Sequence, residues 1–78
     1  EPILIELLVE PHSLMDGKRV RHLGLPAGAI LATLERSSRH MVPSGGTIIS
    51  AGDMITVMVE GDKPDLAYQI HELAKAPA

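Results

Sequence analysis

Apolar and polar positions alternate along residues 3–9, with Ile3, Ile5, Leu7 and Val9 on one side and Leu4, Glu6, Leu8 and Glu10 on the other. A period of two predicts a strand. Because its second side is half apolar, that side is expected to pack on a partner or a helix. Pro11-His12-Ser13 ends the strand, and Asp16-Gly17 marks a turn. Asp16 is also placed to cap a short helix over residues 18–23, with Val20 and Leu23 inward and Gly24 as its stop. Residues 29–36 form a second expected strand, with Ile30, Ala32 and Leu34 on one side. Ser37-Ser38 connects it to a third over 39–42. Pro43-Ser44-Gly45-Gly46 is a strong turn signal before a fourth strand over 47–50. Ala51-Gly52-Asp53 turns into a fifth over 54–60, where Ile55, Val57 and Val59 share a face opposite Met54, Thr56 and Met58. A helix follows, with Pro64 in its first turn, where a missing N–H costs nothing. Its stripe of Leu66, Ile70 and Leu73 suits lying on a sheet, and residues 76–78 end it near Lys75. This order predicts a small α+β fold: a mixed β-sheet of about five short strands, a short helix after the first strand and a C-terminal helix.

Composition makes that fold short of core. The chain has 78 residues, room for one domain spanning 1–78, and a chain this size buries only roughly 60–65% of its unfolded surface. Hydrophobic residues make up 45%, yet Tyr68 is the one aromatic and there is no Cys to staple the fold. Abundant aliphatics with little volume to hold them predict completion of the core against a second copy, a homodimer. The start at Glu1-Pro2 suggests a piece of a larger protein. No apolar run approaches the roughly 18 residues of a membrane span, and no signal-peptide pattern is present.

Net charge is −3 but uneven. Between Lys18 and His40 lie Lys18, Arg19, Arg21, Arg36 and Arg39 against the single acid Glu35; the remainder holds nine acids against Lys63 and Lys75. A basic segment in an acidic chain marks either a local anion site or a solvated surface. Nucleic acid is not the expected partner, since the overall sign is wrong and stacking aromatics are missing.

Nothing in the chain predicts catalysis. Gly52-Asp53 reads as turn chemistry, and no second acid is positioned to pair with Asp53 for proton transfer. Ser37, Ser38, Ser44 and Ser50 have no activating motif. His12, His22 and His71 lack the spacing of a metal site, so neither metal nor cofactor is expected. Met54 and Met58 read as core or dimer packing.

The ordered set Leu23, Leu25, Pro26, Gly28, Ala29, Ile30, then Arg36, then Pro43, Gly45 or Gly46, Thr47, Ile49, Gly52, Asp53, Ile55, Val57 and Gly61 resembles the C-terminal regulatory domain of the RCK family, also called TrkA-C. The resemblance covers roughly residues 3 to 75. It implies a cytosolic module on a bacterial potassium, sodium or chloride transporter or channel, at the cytoplasmic face of the membrane. The module is either covalently attached to the transmembrane part or belongs to an associated gating subunit. Such modules are dimers, several of which bind a small anion, notably cyclic di-AMP, between two copies. Carried onto this chain, the ligand region comprises Ile30, Leu31, Arg36, Arg39, His40, Met41, Val42 and Pro43. There aliphatics would sandwich the bases while arginine and histidine hold the phosphates. Arg36 can equally pair with an acid on the partner or project into water. The alternatives are a dimeriser without ligand and the sensing domain of a soluble transcription regulator.

Overall fold

Strand pairing through the last apolar strand sets the architecture. The computed structural model describes residues 1–77; Ala78, the end of the expected terminal segment, lies outside the described residues. Four strands, β1 (Ile3–Leu8), β2 (Ala29–Arg36), β3 (Arg39–Met41) and β4 (Met54–Val59), form one sheet in the order β1-β4-β2-β3. All three pairings are antiparallel, so the sheet is not mixed. Helix α1 (Pro64–Ala74) starts at Pro64 as expected.

The expected fourth strand reduces to a single bridge, Ile48 opposite Arg19. Its backbone is still satisfied: Ile49 N–H donates to the Lys18 carbonyl at 2.8 Å, and Val20 N–H to the Thr47 carbonyl at 2.9 Å. The ladder stops there because the partner segment coils at Val20 into one 3-10 turn, Val20–His22, which replaces the expected short helix. Asp16 does not cap that turn. Its carboxylate accepts from His12 N–H at 3.1 Å and Ala51 N–H at 3.0 Å, tying two loops together.

The core lies on one face of the sheet. Ile55, Val57, Val59 and Val9 are fully buried, and Leu7 is nearly so. Ile70 and Ala74 of α1 cover one part of this face, and Met15 and Ile49 from the loops cover another. Each fully buried aliphatic contributes about 1.5–3 kcal/mol. The end of α1 is anchored by Glu10 and Met15, whose N–H groups donate to the Ala74 and Leu73 carbonyls at 2.9 and 3.2 Å. These bonds satisfy carbonyls that a helix end leaves open.

One face assignment differs from the alternating pattern. The register between β2 and β4 shifts between Leu31 and Thr33, so Ala32 is an extra residue. Before it, Ala29 and Leu31 oppose the inward Val59 and Val57; after it, Leu34 opposes Ile55. Ile30 therefore points to the outer face, away from Leu34, because burying the larger Leu31 requires a one-residue slip that small Ala32 absorbs. On the outer face Leu4, Met58 and Ile30 stand in one cross-strand row, and Leu8 opposes Met54. Leu4, Leu8 and Ile30 are 61%, 55% and 59% exposed. Among the described residues no segment lies over this face.

Candidate functional site

Chain reversal between β2 and β3 takes only Ser37 and Ser38, both with positive φ (52° and 64°). Two left-handed residues give the tight turn that matches strand twist, a place usually taken by Asn-Gly. The hairpin sets Arg36 opposite Arg39 and Glu35 opposite His40. With Leu34 inward, Arg36 shares its face and reaches under the sheet edge, while His40 sits on the outer face with Nε2 3.5 Å from Glu35 Oε1. Arg36, Ser37, Arg39, His40 and Met41 line a shallow concavity of about 390 Å³.

Arg36 makes the best-defined polar contact of the molecule. Its Nε donates to Asp53 Oδ1 at 2.8 Å, and its Nη2 donates to Asp53 Oδ2 at 2.6 Å and to the Ile48 carbonyl at 2.9 Å. Asp53 is 1% exposed and also accepts Ser50 N–H at 2.8 Å. Burial pushes the Asp53 carboxyl up, but the bonds from Arg36 and Ser50 and the guanidinium charge outweigh it and hold it below the usual carboxylate range. The same side-chain bond to Asp53 raises Arg36, with burial opposing it. Arg36 thus pairs with an acid of its own chain. Asp53 does more than make a turn: Gly52 supplies the positive φ (92°), and Asp53 clasps β2 to the start of β4. The signal for this pairing was an arginine closing one strand and a Gly-Asp opening its neighbour.

The remaining sequence-derived positions are dispersed. Ile30 and Leu31 face opposite sides of the sheet. Ile30 lines a different hollow, with Met58 and Glu60, at the far end of β2. Arg36 stands six positions further along the strand, roughly 20 Å away. Val42 leaves β3 82% exposed, and Pro43 is half-buried. Within one chain, then, the cationic group (Arg36, Arg39, His40) and the exposed aliphatic Ile30 stand at opposite ends of one strand. Two contacts went unread in the sequence: Arg19 Nη1 donates to the Gly46 carbonyl at 2.8 Å, and Arg21 Nε to the Gly45 carbonyl at 3.2 Å. Among the described residues no three His, Cys, Asp or Glu side chains group to hold a metal. No helix there is long and apolar enough to cross a membrane.

A sheet covered on one face, apolar and exposed on the other, with a cationic hairpin at its edge, defines a small α+β module. The TrkA-C domain profile matches residues 4–70, and the chain belongs to the TrkA-C family of RCK-type regulatory domains. It is 34% identical over 55 residues to a Trk system potassium uptake protein TrkA homolog of Archaeoglobus fulgidus. That match takes in 70% of this chain and 13% of the relative, so the chain spans a small part of that protein's length. A solved structure described as an RCK domain with cda superimposes with a TM-score of 0.69 at 21% identity, covering 86% of this chain and 94% of the other. The fold is therefore that of an RCK domain.

Proposed function

We propose that this chain is the cytosolic regulatory and dimerising domain of a membrane ion transporter or channel, and that it senses a small anionic ligand of the cyclic di-AMP class between two copies. The observation that carries the reading is the uncovered outer face, where Leu4, Met58 and Ile30 form an apolar row on the sheet. A second copy would bury it. The family membership and the potassium-uptake relative support the transport context, and the RCK domain with cda supports a ligand. Across a two-fold seam, Ile30 of one copy and the cationic hairpin of the other would supply base and phosphate contacts that one chain holds apart. Ligand would then favour one arrangement of the attached membrane part, at the cytoplasmic face, by its differential affinity; about 1–3 kcal/mol of coupling is typical.

One observation favours a structural dimeriser without ligand. Three of the five Arg36 N–H donors are already used by Asp53 and Ile48, so for a ligand Arg36 has Nη1 left, beside Arg39 and His40. Calorimetric titration with cyclic di-AMP separates the two. Saturation at one ligand per two chains, lost in Arg39→Ala and in Ile30→Glu, supports sensing. No heat at high micromolar ligand favours the structural reading.

A further inference from the structure

We propose a phosphate-binding site distinct from the hairpin, built by Arg19, Arg21 and Ser44 around the missing side chain of Gly46. The Ser44–Thr47 turn is closed by Thr47 N–H donating to the Ser44 carbonyl at 3.1 Å and by Ser44 N–H donating to Thr47 Oγ1 at 3.0 Å. Arg19 and Arg21 come to this turn from the bridge and the 3-10 turn, and each uses one N–H on its carbonyls. A guanidinium has five N–H donors, so most of both forks stay available.

Gly46 is not required by backbone conformation, because its φ is not positive. Its significance is spatial. The point where its Cβ would stand lies 3.1 Å from Arg21 Nη2, 4.0 Å from Arg19 Nη1 and 4.0 Å from Ser44 Oγ. The ends of both arginines and the Ser44 hydroxyl thus gather beside Gly46, where a side chain would crowd Arg21; Arg19 Nη1 also bonds the Gly46 carbonyl, and Ser44 Oγ lies 3.3 Å from Thr47 Oγ1. Neither arginine has an acidic partner among the described residues. Two exposed like charges are tied to one turn in an acidic chain, a placement that a shared anion relieves. Planar forks with several N–H groups and a hydroxyl fit the several oxygens of a phosphate group better than a monatomic ion. The group sits on a soluble phosphate compound or on an anionic lipid, and both present non-bridging phosphate oxygens.

The site uses none of Arg36, Arg39, His40 or Ile30, so it does not rest on the seam reading. The test is a ¹⁵N-resolved NMR titration of the whole chain with pyrophosphate at fixed ionic strength, alongside co-sedimentation with phosphatidylglycerol and phosphatidylcholine vesicles. Saturable shifts centred on the Arg19 and Arg21 Nε–H signals and the Gly45 and Gly46 amides are expected with pyrophosphate. If the source is lipid, sedimentation with the anionic vesicles alone is expected instead. Arg19→Gln and Arg21→Gln each weaken either form by about tenfold or more. Gly46→Ala does the same without altering the rest of the spectrum, since its methyl meets only the mobile ends of side chains. Lys63→Gln removes an equal charge elsewhere and leaves binding unchanged. Shifts that rise linearly and spread over every cation, or binding equal in Gly46→Ala and the parent chain, overturn the proposal. So does an absence of binding in both arms.

Discussion

Arg36 and Asp53 form a two-pronged ion pair, with donor–acceptor distances of 2.8 and 2.6 Å, that joins the end of β2 to the start of β4. The two partners are unequal: the Arg36 side chain is 40% exposed and the Asp53 side chain 2%. Removing either therefore has different consequences. Arg36→Ala strands a buried carboxylate with one backbone donor and is expected to cost about 3 kcal/mol. Asp53→Asn leaves a guanidinium that water can reach and is expected to cost about 1–2 kcal/mol. Urea unfolding of both variants checks the order, and equal losses under about 0.5 kcal/mol would show that the pair is ornamental.

Acid should reveal the same pair. Asp53 sits below the usual carboxylate range when folded, so its contribution is fully present above the unfolded value of about 3.9. As pH falls below that value the unfolded chain binds a proton first, and stability drops until the folded carboxyl also titrates. Urea midpoints measured from about pH 6 down to about pH 2 should fall in that window for the parent chain. In Asp53→Asn this part of the slope disappears, and an unchanged slope would assign it to other acids.

The turn at Ser37-Ser38 stores backbone strain. Both residues occupy the left-handed region (φ 52° and 64°), which side chains with a Cβ enter at a cost of about 1 kcal/mol or more. Replacing the pair by Asn-Gly should stabilise the chain by about 1 kcal/mol. A rise in the thermal midpoint checks it, and a fall would mean that the serine side chains make the turn. If Arg39 and His40 hold a ligand, the relaxed turn should also alter its affinity.

Much of the fold was legible in the alternation of residues 54–59 and in the helical stripe, because a period of two or of 3.6 leaves one buried face. The extent of β2 was equally readable, from apolar residues bounded by Gly28 and Ser37. Its faces were not. Alternation placed Ile30 with Leu34, whereas the bulge at Ala32 is settled by which of Leu31 and Ala32 fills the space above Val57, a tertiary question. The fourth strand failed for a related reason: its partner segment curls at Val20, and nothing local to residues 47–50 records that. At the site, Arg36 was singled out as a candidate for holding a ligand, and its intrachain partner 17 residues away was read as turn chemistry. Burial of Asp53 is a property of the loops that close over it, not of the Gly-Asp dipeptide.

The account depends most on the open outer face being a contact between copies. Sedimentation equilibrium of the parent chain and of Leu4→Glu, which introduces charge into the Leu4–Met58–Ile30 row without touching the inner core, tests this directly. The parent should run at twice the 8.3 kDa chain mass, and Leu4→Glu should run as a folded single chain with an unchanged circular dichroism spectrum. A parent chain that stays single and well folded at high concentration would contradict the account.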